Sequence, residues 1–422
     1  MQLDEGWLRR QGPDAPLLRA VDRCFSEGPP ARIGVAVSGG GDSMALLHLF
    51  ARWAARMGQE IAAVTVDHGL RQDSRAEAQA VAALCRSLGI EHDILTWVRE
   101  EGAGNLAAAA RAGRYGLMAD WARGRGIGVI ALGHSADDTA ENFLMRLGRA
   151  SGLDGLASMH SRFERAGVLW ARPLWAQRRA TLRAYLQRHG VAWSEDPSND
   201  DPRYQRTVAR RTLPALAELG IDAQSIGHSA NALRQAQAAL SHYTRHEAAR
   251  HVIQQGGDLL IPQRFDPPVP EEIERRLTVA ALRWVGSGDF PPRKQVSGVL
   301  SHDMQGQLRM TVGGCIIMKR KGYFHITREY NAVKDLVTTP GLAWDTRWRL
   351  EGPNAEGMEV RALGEAVSAL QDWRARGVPR RSLMASPAVW RGDTLIAAPA
   401  AGYNLEWSAQ IVADFTSFLL LH

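Results

Sequence analysis

Residues 32 to 50, RIGVAVSGGGDSMALLHLF, constrain the fold more than any other stretch of the chain. The alternating apolar run Ile33, Val35 and Val37 reads as a short buried strand, and Met44, Leu46, Leu47 and Phe50 follow at the spacing of one helical face. The three glycines therefore lie in a strand-to-helix turn. The alternation continues to about residue 135 through IAAVTV, a helix from Ala76 to Leu88, EHDILTW, a helix from Asn105 to Arg123, and GVIAL. Strands and helices alternating in this way imply an α/β fold with a parallel, doubly wound sheet. In such sheets ligands collect beyond the carboxyl ends of the strands. The polar clusters SGGGDS, DHGLR and GHSADD each follow a strand directly, so they should share one crevice.

The glycine turn leaves the first N–H groups of its helix pointing outward, and glycines let an anion come close to them. Ser38, Gly39, Gly40, Gly41, Asp42 and Ser43 thus form a phosphate-binding candidate. A Walker A loop would need Gly-Lys-Ser/Thr at its end, and the turn has no lysine. A dinucleotide fingerprint would need Gly or Ala where Met44 stands. The hydrolase elbow G-x-S-x-G is approached by Gly41-Asp42-Ser43-Met44-Ala45, which keeps open a second reading, with Ser43 as nucleophile and His325 as the nearest late histidine. A carboxylate beside a polyphosphate is repulsive unless a cation lies between them, so Asp42 implies Mg²⁺. The same carboxylate also suits a helix N-terminus on dipole grounds alone.

A chain of 422 residues has room for two or three domains. Boundaries fall near 220, after RTLPALAELG, and near 330, after a run of short strands joined by Gly turns. The expected division is a catalytic domain over 1–220, a helical connector and mixed domain over 221–330, and a small β-rich domain over 331–422. Residues 223 to 255 read as one long helix, followed by the Pro-rich DLLIPQRFDPPVPEE. The net charge of +6 suits a polyanionic partner, and only four of the 51 basic residues are lysine. Arginine forks phosphate well, although GC-rich codon usage yields the same enrichment. Cys24, Cys85 and Cys315 are odd in number, far apart and outside any C-x-x-C pair, which argues against disulfides, zinc or an iron–sulfur cluster and for a cytoplasmic protein. No run reaches the ~18 apolar residues of a membrane helix.

Four further constellations carry chemistry. Asp67 and His68 end the second strand, where an acid suits a ribose hydroxyl or a histidine simply caps the turn. Asn105 is a helix N-cap, with Arg111, Arg114 and Tyr115 on one face behind it. His134 follows the fourth strand, and Asp137, Asp138 and Glu141 open the next helix, where carboxylates are favourable on dipole grounds in any case. Arg203, Arg206 and Arg210, with Arg211 beside them, form a basic helical stripe of the kind that meets a nucleic acid backbone.

The spelling Ser-Gly-Gly-Gly-Asp-Ser resembles the SGGxDS signature of the PP-loop, or N-type, ATP pyrophosphatases. In order, SGGGDS, VDHGLR, NLAAAARAGRY, GHSADDTAENFLMRL, GLDGL, RPL and WSEDPSNDDPRYQR resemble the tRNA(Ile)-lysidine synthases over about residues 33 to 216, and VPRRSLMASPAVWRGDTLIAAP resembles their last domain. Asn142 stands where Thr is usual and Thr207 where Asn is usual. The resemblance implies an adenine-nucleotide-binding PP-loop fold followed by smaller mixed α/β domains. It also implies ATP-dependent ligation of free L-lysine to the 2-carbon of the wobble cytidine in tRNA(Ile) with a CAU anticodon, through an adenylated tRNA, releasing AMP and pyrophosphate. By the same resemblance, Ser38 to Ser43 bind ATP, with Mg²⁺ on Asp42. Arg111 and Arg114 lie near the reacting phosphate and base, His134 near the adenylated nucleotide, and Asp138 and Glu141 near the lysine amine. Arg203, Arg206 and Arg210 would contact the tRNA. A tRNA thiolase of the same superfamily would need a sulfur-carrying cysteine, and none stands near a motif.

Overall fold

The strand expected from Ile33, Val35 and Val37 is central to a six-stranded sheet. A computed structural model describes residues 3–25, 28, 30–67, 74–98, 106–157, 159–195, 203, 205–288, 309–353, 355–371 and 373–421. Strand β1 (Arg32–Ala36) lies between β2 (Glu60–Asp67) and β4 (Val129–Leu132), with β3 (Glu91–Thr96) outside β2. All these pairings are parallel, with Ile33 opposite Ile61 on one side and Val129 on the other. The chain winds outward from β1 in one direction through β2 and β3, then returns to place β4 on its other flank. The gap between the ends of β1 and β4 is therefore the topological switch point, where ligands of such sheets bind.

The helix after the glycine turn spans Gly41–Met57. Met44, Leu46, Leu47 and Phe50 are buried as their spacing predicts, but so are Leu49, Trp53, Ala54 and Met57. A helix that is apolar on most of its circumference is a core helix. Here the sheet covers one side, and the helices Ala15–Cys24 and Arg179–Arg188 cover the other. The helices Ser74–Ser87 and Leu106–Gly124 match the sequence reading, and Cys85 is fully buried.

One element was not expected. The segment after residue 150 reads as helix and loop, yet Arg162–Arg165 (β5) and Val168–Ala171 (β6) form a hairpin that closes the sheet, β6 parallel to β4 and β5 antiparallel to β6. Its turn residues Ala166 and Gly167 both take positive φ, 53° and 71°. Asn-Gly or Asp-Gly would announce such a turn, whereas alanine is strained there and carries no signal.

The described residues divide into two compact units, Met1–Gln237 and Ala238–His422. The long helix runs Ala223–His251, and the residues after it turn into a strand, Ile253–Gln255 (β7), paired with Asp258–Pro262 (β8) across Gly256. The start of the Pro-rich stretch is thus a strand of a five-stranded antiparallel sheet, ordered β7, β8, β11 (Tyr323–Arg328), β10 (Cys315–Arg320) and β9 (Arg309–Val312). The buried face of the helix Glu271–Gly286 packs on this sheet through Ile273, Leu277, Leu282 and Val285. Two three-stranded sheets follow, one built from residues 343–344, 348–351 and 408–411, the other from 359–362, 387–391 and 394–397.

Candidate active site at the head of the parallel sheet

The glycine turn is held in shape by its serines. Ser43 Oγ donates to the Gly40 carbonyl at 2.9 Å and accepts the Ser38 N–H at 3.1 Å, with Ser38 Oγ 3.2 Å away. The Ser43 and Met44 N–H groups both donate to the Gly40 carbonyl, and the Ser194 N–H donates to Gly39. Gly39 takes φ +85°, a conformation that a side chain would strain. Gly133, at the end of β4, touches the same turn: a Cβ there would fall 2.7 Å from Ser43 Cα. The close approach of Gly133 thus brings the GHSADD cluster against the SGGGDS cluster.

Carboxylates and arginines meet at that contact. Ser135 caps the helix Ala136–Leu147, its N–H donating to Asp138 Oδ2 at 2.8 Å. Its hydroxyl lies 2.9 Å from Asp42 Oδ2 and 3.0 Å from Asp138 Oδ2, so one proton is shared between two acids from different motifs. Arg179 spans the group. Its Nε donates to Asp42 at 3.2 Å, Nη2 to Asp138 at 3.0 Å and Nη1 to Glu141 at 3.0 Å. Arg206 donates to Asp138 and, through Nε, to Glu141 at 2.6 Å, while Arg210 Nε reaches Glu141 at 2.8 Å. Asp137 stands apart, accepting the Arg179 backbone N–H at 2.7 Å and so fixing the start of the Arg179–Arg188 helix.

The charges follow from this arrangement. Burial would raise all three acids. The guanidiniums of Arg206 and Arg179 hold Asp138 below the usual range, and those of Arg210, Arg206 and Arg179 do the same for Glu141. Asp42 goes the other way: its burial, helped by nearby Asp138, outweighs Arg179 and Ser135 and lifts its carboxyl above the usual range.

On the other side of His134 the site is cationic. Arg172 Nε donates to His134 Nδ1 at 3.2 Å, which places the ring proton on Nε2. Burial first, then the charges of Arg172, Arg206 and Arg114, push His134 down to about 3, so the imidazole is neutral at physiological pH. Arg172 stacks over Phe163 at 4.3 Å, and Arg111 and Arg114 lie over the Tyr115 ring at 5.3 and 5.7 Å. Arg114 Nε is buried without a partner, a donor suited to an anion.

The structure therefore brings Asp42, His134, Asp138 and Glu141 together with the glycine turn, and adds Ser135, Arg172 and Arg179. Arg172 lies inside the RPL motif, yet its spelling gives no role. Arg179 belongs to a helix whose sequence marks it only as basic, and its three partners are 137, 41 and 38 residues away. Arg206 and Arg210 turn inward onto acids instead of forming a purely outward stripe, although Arg206 keeps 48% of its side chain exposed. Arg203 is exposed in the preceding turn. Asp67 ends β2, while His68 and Asn105 lie outside the described residues.

Asp42 suits a magnesium ion. Its Oδ1 is buried with no partner, and among the described residues no three metal-ligating side chains converge. A single carboxylate supplemented by phosphate oxygens and water is a common magnesium environment. The hydrolase reading fares worse. The Ser43 hydroxyl is committed to Gly40, and His325 is buried on a strand of the second unit, its Nε2 2.7 Å from Asp258. No thiol is poised for chemistry either: burial raises Cys24 above the usual thiol range and pushes Cys85 to about 11 and Cys315 to about 12.

A parallel sheet with a glycine turn and a magnesium-suited acid at its switch point defines a nucleotide-using PP-loop protein, and the family model described as the PP-loop domain matches residues 13–216. The chain is 44% identical to the tRNA(Ile)-lysidine synthase of Ruegeria pomeroyi, covering 94% of this chain and 96% of that protein. It is 38% identical to that of Hyphomonas neptunium over 70% of this chain and 81% of the relative. It belongs to the tRNA(Ile)-lysidine synthase family, a family of ATP-dependent tRNA-modifying enzymes. Among solved structures it is similar to the U34-tRNA thiolase of Methanococcus maripaludis, with a TM-score of 0.46 and 17% identity, covering 53% of this chain and 79% of that one. Among the described residues no helix is long and apolar enough to cross a membrane.

Proposed function

We propose that this chain joins free L-lysine to the 2-carbon of the wobble cytidine in tRNA(Ile) with a CAU anticodon, through an adenylated tRNA intermediate, releasing pyrophosphate and AMP. The observation that carries the reading is the Ser135 hydroxyl between Asp42 and Asp138, which joins the phosphate turn to the carboxylate helix and so fits one crevice to two successive steps. In the first step the cytosine 2-oxygen attacks the α-phosphate of ATP, and the bond to pyrophosphate breaks. The amides of the 39–43 turn and the helix N-terminus receive the leaving pyrophosphate. Magnesium, held by Asp42, would neutralise charge between the carboxylate and the phosphates. Arg111 and Arg114 attract the α-phosphate and orient the base, while neutral His134 offers its Nε2 proton as a hydrogen-bond donor to the adenylated nucleotide.

In the second step the lysine amine attacks the 2-carbon and AMP departs. Asp138 and Glu141 draw the substrate's ammonium to the crevice and orient it by charge-assisted hydrogen bonds. Arg203, Arg206 and Arg210 line the rim and meet the phosphates of the anticodon loop. A base in an unpaired loop can be turned out into such a crevice at small cost. The second unit holds the rest of the tRNA, and the reaction takes place in the cytoplasm.

The test is direct. The protein is incubated with ATP, labelled lysine and bulk tRNA, and label is sought in the RNA. Label that appears only with ATP, together with pyrophosphate and AMP, supports the reading. ATP cleavage with no lysine incorporated overturns it.

A further inference from the structure

Arg179 has no place in the two steps above, yet its side chain bonds three carboxylates of the site. All three of its nitrogens are occupied: Nε by Asp42, Nη1 by Glu141 and Nη2 by Asp138. It is the one side chain described that touches both the acid of the phosphate turn and the two acids of the Ala136–Leu147 helix. Those acids come in two kinds. Asp138 and Glu141 are also held by Arg206, and Glu141 by Arg210, so losing Arg179 leaves both with a cation. Asp42 has Arg179 as its only cationic partner among the described ion pairs, at 3.2 Å, and its other oxygen has no partner.

The proposed reaction brings two other cations to these same carboxylates. A magnesium ion on Asp42 and an ammonium on Asp138 and Glu141 each meet a guanidinium already in position. Like charges a few ångströms apart in a largely buried site repel strongly. We propose that Arg179 is a positioning residue that competes with both: it holds the three carboxylates in register and sets how much magnesium and how much lysine are needed to displace it. The magnesium half of this inference needs only a PP-loop nucleotide site, whereas the lysine half rests on the proposed function. Arginine suits the role because its planar fork can bond three acids at once, which a lysine ammonium on a flexible stem cannot do with the same geometry.

The test compares Arg179→Gln with the unaltered protein and with Arg206→Gln, in the full chain at fixed ionic strength. Binding of a fluorescent ATP analogue is followed as magnesium is titrated, which needs no turnover. Arg179→Gln should lower the magnesium concentration for half-saturation by about fivefold or more. Arg206→Gln, which removes a cation from Asp138 and Glu141 but not from Asp42, should leave it within about twofold. A damaged fold would weaken binding, so a gain in magnesium affinity separates competition from a purely structural role. If Arg179→Gln does not fold, judged by circular dichroism, Arg179→Lys replaces it and should shift the requirement in the same direction by a smaller factor. An unchanged or increased magnesium requirement, or an equal shift in Arg206→Gln, overturns the proposal. In the lysine half, Arg179→Gln should lower the KM for lysine whatever happens to kcat, and a raised KM overturns that half. If the amine joined to tRNA proves not to be lysine, the proposed function fails while the magnesium titration still judges Arg179.

Discussion

At the scale of single residues the site depends on a few atoms whose replacement has separable consequences. Asp42→Ala removes the buried oxygens that would hold magnesium, so tRNA-dependent pyrophosphate release should fall by at least about 100-fold, as for loss of a main electrostatic contact. Circular dichroism and tRNA binding should stay unchanged. Substantial pyrophosphate release by this variant would show that Asp42 is not the metal-side acid. Glu141→Gln tests the other step more cleanly than a change at Asp138, because Glu141 is bonded to arginines whereas Asp138 also accepts from Ser135 next to Asp42. Losing one charged hydrogen bond in a buried site costs on the order of 1.5–3 kcal/mol. The lysine requirement should therefore rise roughly 10- to 150-fold while adenylated tRNA still accumulates at limiting lysine, as read by mass detection. Failure to adenylate would move Glu141 to the nucleotide step. Gly133→Ala probes the meeting of the two motifs. Its new methyl carbon would overlap the Ser43 backbone, so nucleotide binding should drop sharply in a protein that still unfolds cooperatively; unchanged nucleotide affinity would contradict that contact. Asp42 and His134 were legible because each sits beside a glycine turn or a strand end, and Asp138 and Glu141 because they lie three apart in the helix that follows. Arg179 was not, since nothing in QRRATLRAYL distinguishes a buried arginine from a solvated one.

At the scale of elements, the helix that carries Arg179 must be anchored for that side chain to be placed. Asp137 fixes its first residue, and a second network fixes its far end. Asp14 accepts from Arg52, Arg188 and His189, each at 2.7 Å, and His48 Nδ1 lies 2.6 Å from Tyr185 Oη. Burial alone would raise Asp14, but the hydrogen bonds from Arg188, Arg52 and His189 hold it at about 2, against 3.8 for an ordinary aspartate. Its contribution to stability is therefore complete above about pH 4 and is lost as pH falls through about 2. Asp14→Asn should cost about 1–2 kcal/mol at neutral pH, discounted because Arg188 is 38% exposed. The variant should also lose less stability than the parent between pH 4 and pH 2, as measured by urea denaturation. An equal acid slope in both proteins would assign the acid sensitivity elsewhere. His48 and His134, pushed by burial to about 4 and about 3, act in the same direction at higher pH: each costs stability as pH falls below about 6.5.

At the scale of the whole molecule, the first unit runs to Gln237, and the reason lies beside the site. Ala223 and Ile226 of the long helix pack with Ala136 and Ala140 of the helix that bears Asp138 and Glu141. Farther along, Arg234 lies over Trp175 at 4.6 Å and Gln237 donates to Asp154 at 3.0 Å. A protein ending at residue 220 should therefore expose the back of the helix that bears Asp138 and Glu141 and unfold at lower urea than one ending at Gln237. Equal midpoints would show that this packing contributes nothing. The sequence alone determined the parallel α/β class, the glycine turn, the acids beside it and the absence of a C-x-x-C cysteine motif. Each of these is encoded locally, by a period of two or 3.6 residues, by a glycine that permits one turn, or by a short spelling. Tertiary structure alone decided which arginines are spent on acids, where the edge hairpin closes the sheet, and that Asp42 and Asp138 share one serine proton. Those facts depend on side chains up to 137 residues apart meeting in a buried place, and pairing of charges across such separations leaves no period in the chain.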